Sequence, residues 1–228
     1  MANVIFASCL GGILPAILWL EFWVRKSAHR EPRHLIIATF LLGMMSVFVA
    51  GPIESAINPG AYTFLLFLAW AFIEEIVKFF AAYAGGLRSR FCDDPIDPAI
   101  YLITSALGFA AAENILFLFD AIAGGDISKG VALIISRSIG STVTHVIASG
   151  AIGLMIGFGF YRSKLAARFC AGVGLMLATL LHAAFNSFII TSDDKVLWVF
   201  AAVWILLIAL ILVLEKIKIS KKIIRSKI

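Results

Sequence analysis

Apolar residues run through this chain in seven long blocks, separated by short polar connections. The blocks cover roughly Asn3–Val24, His34–Gly51, Ala61–Ala84, Pro98–Ile122, Arg137–Phe160, Phe169–Ile190 and Val196–Leu214. Each is close to the ~20 residues that a helix needs to cross a hydrocarbon core of about 30 Å. The connections carry Pro32, Pro52, Asn58-Pro59-Gly60, Gly85-Gly86, Asp94-Pro95 and Gly124-Gly125, residue types that end helices or open turns. No soluble domain interrupts the series, and no internal repeat is visible. The pattern predicts an all-α fold: a polytopic transmembrane helical bundle of about seven spans, forming one membrane domain over residues 1–228.

Composition strengthens that picture. Of the 228 residues, 61% are hydrophobic and only 14% charged, and the mean hydropathy is +1.00. A soluble domain of this size carries about a quarter charged residues. The net charge of +5 does not call for nucleic acid, because the basic residues fall in short loops and the tail. With the N-terminus outside, one face collects Arg25, Lys26, Arg30, Arg33, Arg88, Arg90, Arg162, Lys164, Arg168 and the basic tail. The opposite face receives only Lys129 and Lys195. The positive-inside rule makes the first face cytoplasmic, with the C-terminus on it. The tail over 215–228 alternates lysines with aliphatic residues, and serves as a topological anchor or lies along anionic headgroups. The start of the chain lacks a basic n-region, so the first helix is expected to stay attached. Cys9, Cys92 and Cys170 are too scattered for a disulfide framework or a zinc knuckle. A glycine-rich phosphate loop is absent, which argues against ATP-driven work.

The chemistry lies in the polar residues inside the spans. The third block holds Trp70-Ala-Phe-Ile-Glu-Glu-Ile-Val-Lys-Phe-Phe80, with Glu74, Glu75 and Lys78 in an otherwise apolar run. An ionisable group at the bilayer centre costs about 2.5–3.5 kcal/mol on insertion scales. Lys78 is i+4 from Glu74 and i+3 from Glu75, so its ammonium can reach either carboxylate but cannot neutralise both. The fourth block contains Glu113 and Asn114 after the small residues of Gly108-Phe-Ala-Ala-Ala112. In the fifth, Arg137, Ser141, His145 and Ser149 recur every four residues and share a helical face. The sixth places His182 and Asn186 at i,i+4. Measured from the middle of each span, Glu74, Glu75, Glu113, His145 and His182 fit a slab about 10 Å thick near the midplane. Each alone has an ordinary structural reading, as an interhelical hydrogen bond, a protonated core carboxyl or an intramembrane ion pair. Their convergence at one depth on four consecutive helices favours a site.

Carboxylates beside imidazoles in a wet, low-dielectric cavity suit the activation of water. An imidazolium or amide N–H can stabilise the oxyanion formed at an attacked carbonyl. The soluble zinc-protease signature His-Glu-x-x-His is absent, yet His145, His182 and a glutamate such as Glu113 would make a three-ligand zinc site with one open position. Zinc is thus compatible with the sequence but not required by it. The same buried groups also suit a proton-coupled transporter or channel, although no repeat or pair of broken helices accompanies them. A scaffold without catalysis is the third reading.

Glu74-Glu-Ile-Val-Lys78 resembles the Glu-Glu-x-x-Lys motif of the PrsW family of membrane proteases, and Phe109-Ala-Ala-Ala-Glu-Asn114 resembles its Phe-x-x-x-Glu-Asn motif. The segments around His145 and His182 fit the family's third and fourth motifs, so the likeness runs in order from about Trp70 to Ser187. The family is distantly similar to the CAAX prenyl proteases, whose His-x-x-x-Asn motif is matched by His182-Ala-Ala-Phe-Asn186. Lys78 in place of an arginine one residue later, and Glu113 in place of a histidine, set the chain nearer the PrsW branch. The resemblance implies an intramembrane endopeptidase, usually described as glutamic-type, with its catalytic core over about 61–190. It implies Glu74 or Glu75 as the water-activating base, assisted by His145 or Glu113. His182 and Asn186 would polarise the scissile carbonyl, Lys78 would hold the glutamate pair, and Asn114 would be a supporting residue. The implied substrate is a single-span membrane protein such as an anti-sigma factor, cut at site 1 in a bacterial cytoplasmic membrane.

Overall fold

The computed structural model describes residues 1–27, 31–57, 63–191 and 196–225, with side chains to residue 218. The Asn58-Pro59-Gly60 connection, the Ala61 start of the third span, Arg30, Lys195 and the side chains from 219 onward lie outside the described residues. Among the described residues eight α-helices follow one another: α1 (Ala2–Val24), α2 (Arg33–Ala56), α3 (Phe64–Ala82), α4 (Asp97–Ala123), α5 (Ile127–Ile139), α6 (Ser141–Gly159), α7 (Lys164–Thr191) and α8 (Val196–Arg225). Among the described residues there is no strand.

Six stretches are long and apolar enough to cross a membrane: α1, α2, α4, α5 with α6 as one 33-residue stretch, α7 and most of α8. The seventh expected span, α3, has 19 residues and carries the three charges at Glu74, Glu75 and Lys78. Its length still matches a bilayer crossing at 1.5 Å per residue.

The helix at the centre is α4, whose residues from Asp97 to Ala112 are all buried. It packs against α1, α2 and α6, while α7 closes against α6 and α3. Small residues make this possible. A Cβ on Gly43 of α2 would lie 2.2 Å from the Ser105 carbonyl oxygen, and one on Gly108 of α4 would lie 2.0 Å from the Phe40 carbonyl oxygen. On the other side of α4, a Cβ on Gly153 would lie 2.3 Å from Ala99 Cα. Such backbone contact is how helices associate where lipid removes the hydrophobic drive between them. The outward faces of α1 and α8 carry exposed Phe6, Leu10, Leu18, Leu197, Ile205 and Leu212, as a lipid-facing surface requires.

Three details differ from the sequence expectation. Pro52 does not end α2, which continues to Ala56. A proline removes only one helical hydrogen bond and crowds one carbonyl, so an apolar helix held by its neighbours can pass through it. Gly85-Gly86 does not break the chain either, but forms a π-helical turn over Tyr83–Leu87. That turn brings both glycines against neighbouring helices, with a Gly85 Cβ position 2.3 Å from Thr39 Oγ1 and a Gly86 Cβ position 2.0 Å from the Tyr101 ring. Finally, the expected fifth span is two helices. Gly140, at φ −111° and ψ −80°, separates α5 from α6 and places Arg137 on the shorter helix.

Candidate active site

The site begins with α3. Its helical period puts Glu74, Glu75 and Lys78 toward α6 and α7, and all three are buried, with Glu75 and Lys78 at 0% exposure. The Lys78 ammonium has three protons and three partners: Glu75 Oε1 at 2.6 Å, His145 Nδ1 at 3.0 Å and Glu74 Oε2 at 3.5 Å. It also stands 4.7 Å above the Phe109 ring, which adds a cation–π contact. The backbone oxygen of Lys78 accepts from Ser105 Oγ at 2.8 Å, tying α3 to α4.

The adjacent glutamates occupy different environments. Glu75 is enclosed, receiving Lys78, the Ser149 hydroxyl at 2.7 Å and His182 Nδ1 at 3.0 Å. Glu74 has looser contacts, with Oε2 at 3.7 Å from both His145 Nδ1 and His182 Nε2. It lines a cavity of about 370 Å³ that Glu75 does not reach. Glu54, Trp70, Glu113, Arg137, Ser141, His145, His182 and Asn186 line the same cavity, with Phe117, Phe185 and Phe200 among its apolar walls.

These partners settle the tautomers. Lys78 can only donate, so His145 Nδ1 accepts, and His145 Nε2–H donates to Glu113 Oε2 at 3.1 Å. Glu75 can only accept in its ionised state, so His182 donates through Nδ1–H and turns the lone pair of Nε2 toward Glu74. The two imidazoles meet edge to face with centroids 4.8 Å apart. Behind Glu113, Arg137 binds Glu113 Oε2 at 2.7 Å and Asn114 Oδ1 at 2.6 Å, and packs 4.0 Å from the Phe117 ring. Asn114 also donates to Thr142 at 3.2 Å. Of the residues singled out by sequence, Glu74, Glu113, His145, His182 and Asn186 line one cavity, while Glu75, Lys78 and Asn114 join them through hydrogen bonds behind its wall.

Glu74, His145 and His182 each offer one donor atom, all within 4.8 Å of one another. Two histidine nitrogens and one carboxylate oxygen leave one position open, the donor set of a catalytic zinc site. The Nδ1–H bond from His182 to Glu75 is the outer support that metal-binding histidines commonly use. The residues thus fit a divalent metal, after the donors close in and the Lys78 ammonium retreats from His145. The carboxylate in this group is Glu74; Glu113, expected there from sequence, instead orients His145 from its other nitrogen.

Sequence reasoning did not place Glu54 in the site, because Pro52 suggested that α2 had already ended. It also put Arg137 on one continuous face with His145; the Gly140 break aims the guanidinium at Glu113 instead. Ser149 did carry a signal, through its four-residue spacing from His145.

Residues 31–214 match the family described as PrsW family intramembrane metalloprotease. Protease PrsW of Bacillus subtilis (strain 168) is 26% identical to this chain over 216 residues, covering 86% of the chain and 87% of that protein. No solved structure matches the chain. A match across most of the chain, on a multi-pass helical bundle whose polar residues gather at one intramembrane cavity, makes this protein a member of the PrsW family and a membrane protease.

Proposed function

We propose that the protein is an intramembrane endopeptidase that hydrolyses a peptide bond of a membrane-anchored protein, with water activated at Glu74. The observation that carries this reading is the difference between the two adjacent glutamates. Glu75 has three close donors and does not line the cavity, whereas Glu74 faces it beside both imidazoles. A general base must reach its water, and Glu74 can. Glu75 then acts as a positioning residue that holds Lys78 and His182.

The other groups take roles from their geometry. Arg137 and Glu113 hold the His145 ring with its Nε2–H engaged. Asn186 faces the same cavity from α7, where its amide N–H would polarise the scissile carbonyl and stabilise its oxyanion, and His182 beside it would do the same as the imidazolium, with Nε2 protonated. Apolar walls from Phe117, Phe185 and Phe200 limit access of bulk water. Were a divalent metal bound, Glu74, His145 and His182 would hold it, and it would supply Lewis-acid polarisation and a more acidic water. The one-sided basic loops favour an N-terminus outside and a tail in the cytoplasm, and the resemblance suggests a bacterial cytoplasmic membrane. A single-span anti-sigma factor cut at site 1 is the substrate that the resemblance suggests.

The test compares wild type with Glu74→Gln and Glu75→Gln on a single-span substrate, before and after chelation. Glu74→Gln should lower turnover by about 10²–10⁴-fold with little change in KM. Glu75→Gln should lower both turnover and thermal stability. Activity that disappears on chelation and returns with zinc shows that the reaction needs a metal; full activity in chelated protein leaves the activation of water to Glu74 and the histidines without one. Wild-type turnover in Glu74→Gln would sink the proposal.

A further inference from the structure

The charges around the cavity are unevenly matched. Arg137 pairs with Glu113, and Lys78 serves Glu75 and Glu74. Glu54, on the last turn of α2, has no ion-pair partner within 4.0 Å among the described residues. Its Oε1 is buried and accepts no hydrogen bond from the described residues, while the residue as a whole is half-buried and lines the cavity. A carboxylate oxygen withdrawn from water without a donor is costly, more so than for a neutral group. The position is nevertheless fixed by the fold: the Glu54 backbone carbonyl accepts from Trp70 Nε1 at 3.2 Å, which ties α2 to α3. Trp70 lines the same cavity, so the indole held on the Glu54 backbone and the Glu54 side chain belong to one wall.

A carboxylate and an indole together make a receptor for a cation. We propose that Glu54 and Trp70 form a substrate subsite that takes a basic side chain, lysine or arginine, near the scissile bond. The inference rests on the protease reading and deepens it by naming the substrate residue. It also fits the proposed orientation, in which the end of α2 lies toward the outer face. Membrane proteins are poor in lysine and arginine on their outer flanks, so a basic residue there is a distinguishing mark. The subsite shares the cavity with the Glu74, His145 and His182 group, and Glu54 is not part of that donor set.

The experiment uses the full chain in liposomes, with single-span substrates that differ at one position. Lysine, glutamine or glutamate is scanned through each residue flanking the cut. Wild type should prefer lysine over glutamine at one position by about ten- to hundredfold in kcat/KM, the worth of a charge-assisted hydrogen bond. Glutamate there should be cut more slowly than glutamine. In Glu54→Gln the lysine-to-glutamine ratio should fall toward one, a ratio that does not depend on how much of the variant is folded. In Glu54→Lys the order should reverse, and a gain on the glutamate substrate cannot come from misfolding. A wild type that cuts all three alike, or a lysine preference that survives in Glu54→Gln, overturns the subsite while leaving the protease reading intact. A wild type that cuts none of them overturns both.

Discussion

Lys78 is a cation at 0% exposure whose three close neighbours are Glu75, Glu74 and His145. Replacing it by methionine keeps the volume of the stem and removes the charge. Glu75, also at 0% exposure, then retains only neutral donors, Ser149 and His182. Leaving one member of a buried pair without its counter-charge costs about 3–5 kcal/mol. For a chain of this length each kcal/mol moves the midpoint by about 2–4 °C, so Lys78→Met should lose roughly 6–20 °C. Adding Glu75→Gln removes the stranded charge, and the double variant should recover much of that loss. The assay is thermal unfolding in one detergent for wild type, both single variants and the double, read as a double-mutant cycle. A Lys78→Met midpoint within about 2 °C of wild type would refute the reasoning. So would a double variant no more stable than Lys78→Met.

Cysteine labelling in intact and permeabilised cells should place the N-terminus outside and residue 215 onward in the cytoplasm; both ends on one face would contradict the seven crossings. The described contacts agree on a shared face for the first loop and the end of α8, since Lys26 pairs with Glu215 at 2.8 Å and Lys218 donates to the Lys26 carbonyl at 3.2 Å. Gly108→Val should abolish folded yield in detergent, because a Cβ there would overlap the Phe40 carbonyl, whereas Gly51→Ala, with nothing within 4 Å, should be purified at wild-type yield. Equal yields for the two would remove close α2–α4 packing from the account.

The helical bundle was legible because hydrophobic blocks of membrane length leave little alternative. Lys78 contacting both Glu74 and Glu75 was legible for a similar reason, since i,i+3 and i,i+4 positions are neighbours on any helix. The different surroundings of Glu74 and Glu75 were not. Adjacent residues point about 100° apart, and which direction meets a cavity depends on how α6 and α7 pack, which one helix cannot record. Glu54 was hidden behind Pro52, whose helix-ending tendency was overridden by packing of the surrounding helices. The reach of Arg137 was hidden by Gly140, since the four-residue stripe from Arg137 to His145 assumes an unbroken helix. The histidine tautomers belong to the same class: they follow only once Lys78, Glu75 and Glu113 are seen on particular ring nitrogens.

The central claim is that buried glutamates and histidines cut a membrane-anchored protein rather than carry protons across the bilayer. The direct measurement is cleavage of a single-span substrate by the purified chain in sealed liposomes with no ion gradient, with proton flux recorded in the same vesicles. The account predicts a defined cut by wild type and a fall of about 10²–10⁴-fold in turnover for Glu74→Gln. It predicts no proton flux from either protein. Intact substrate with wild type, together with a proton flux lost in Glu74→Gln, would contradict it.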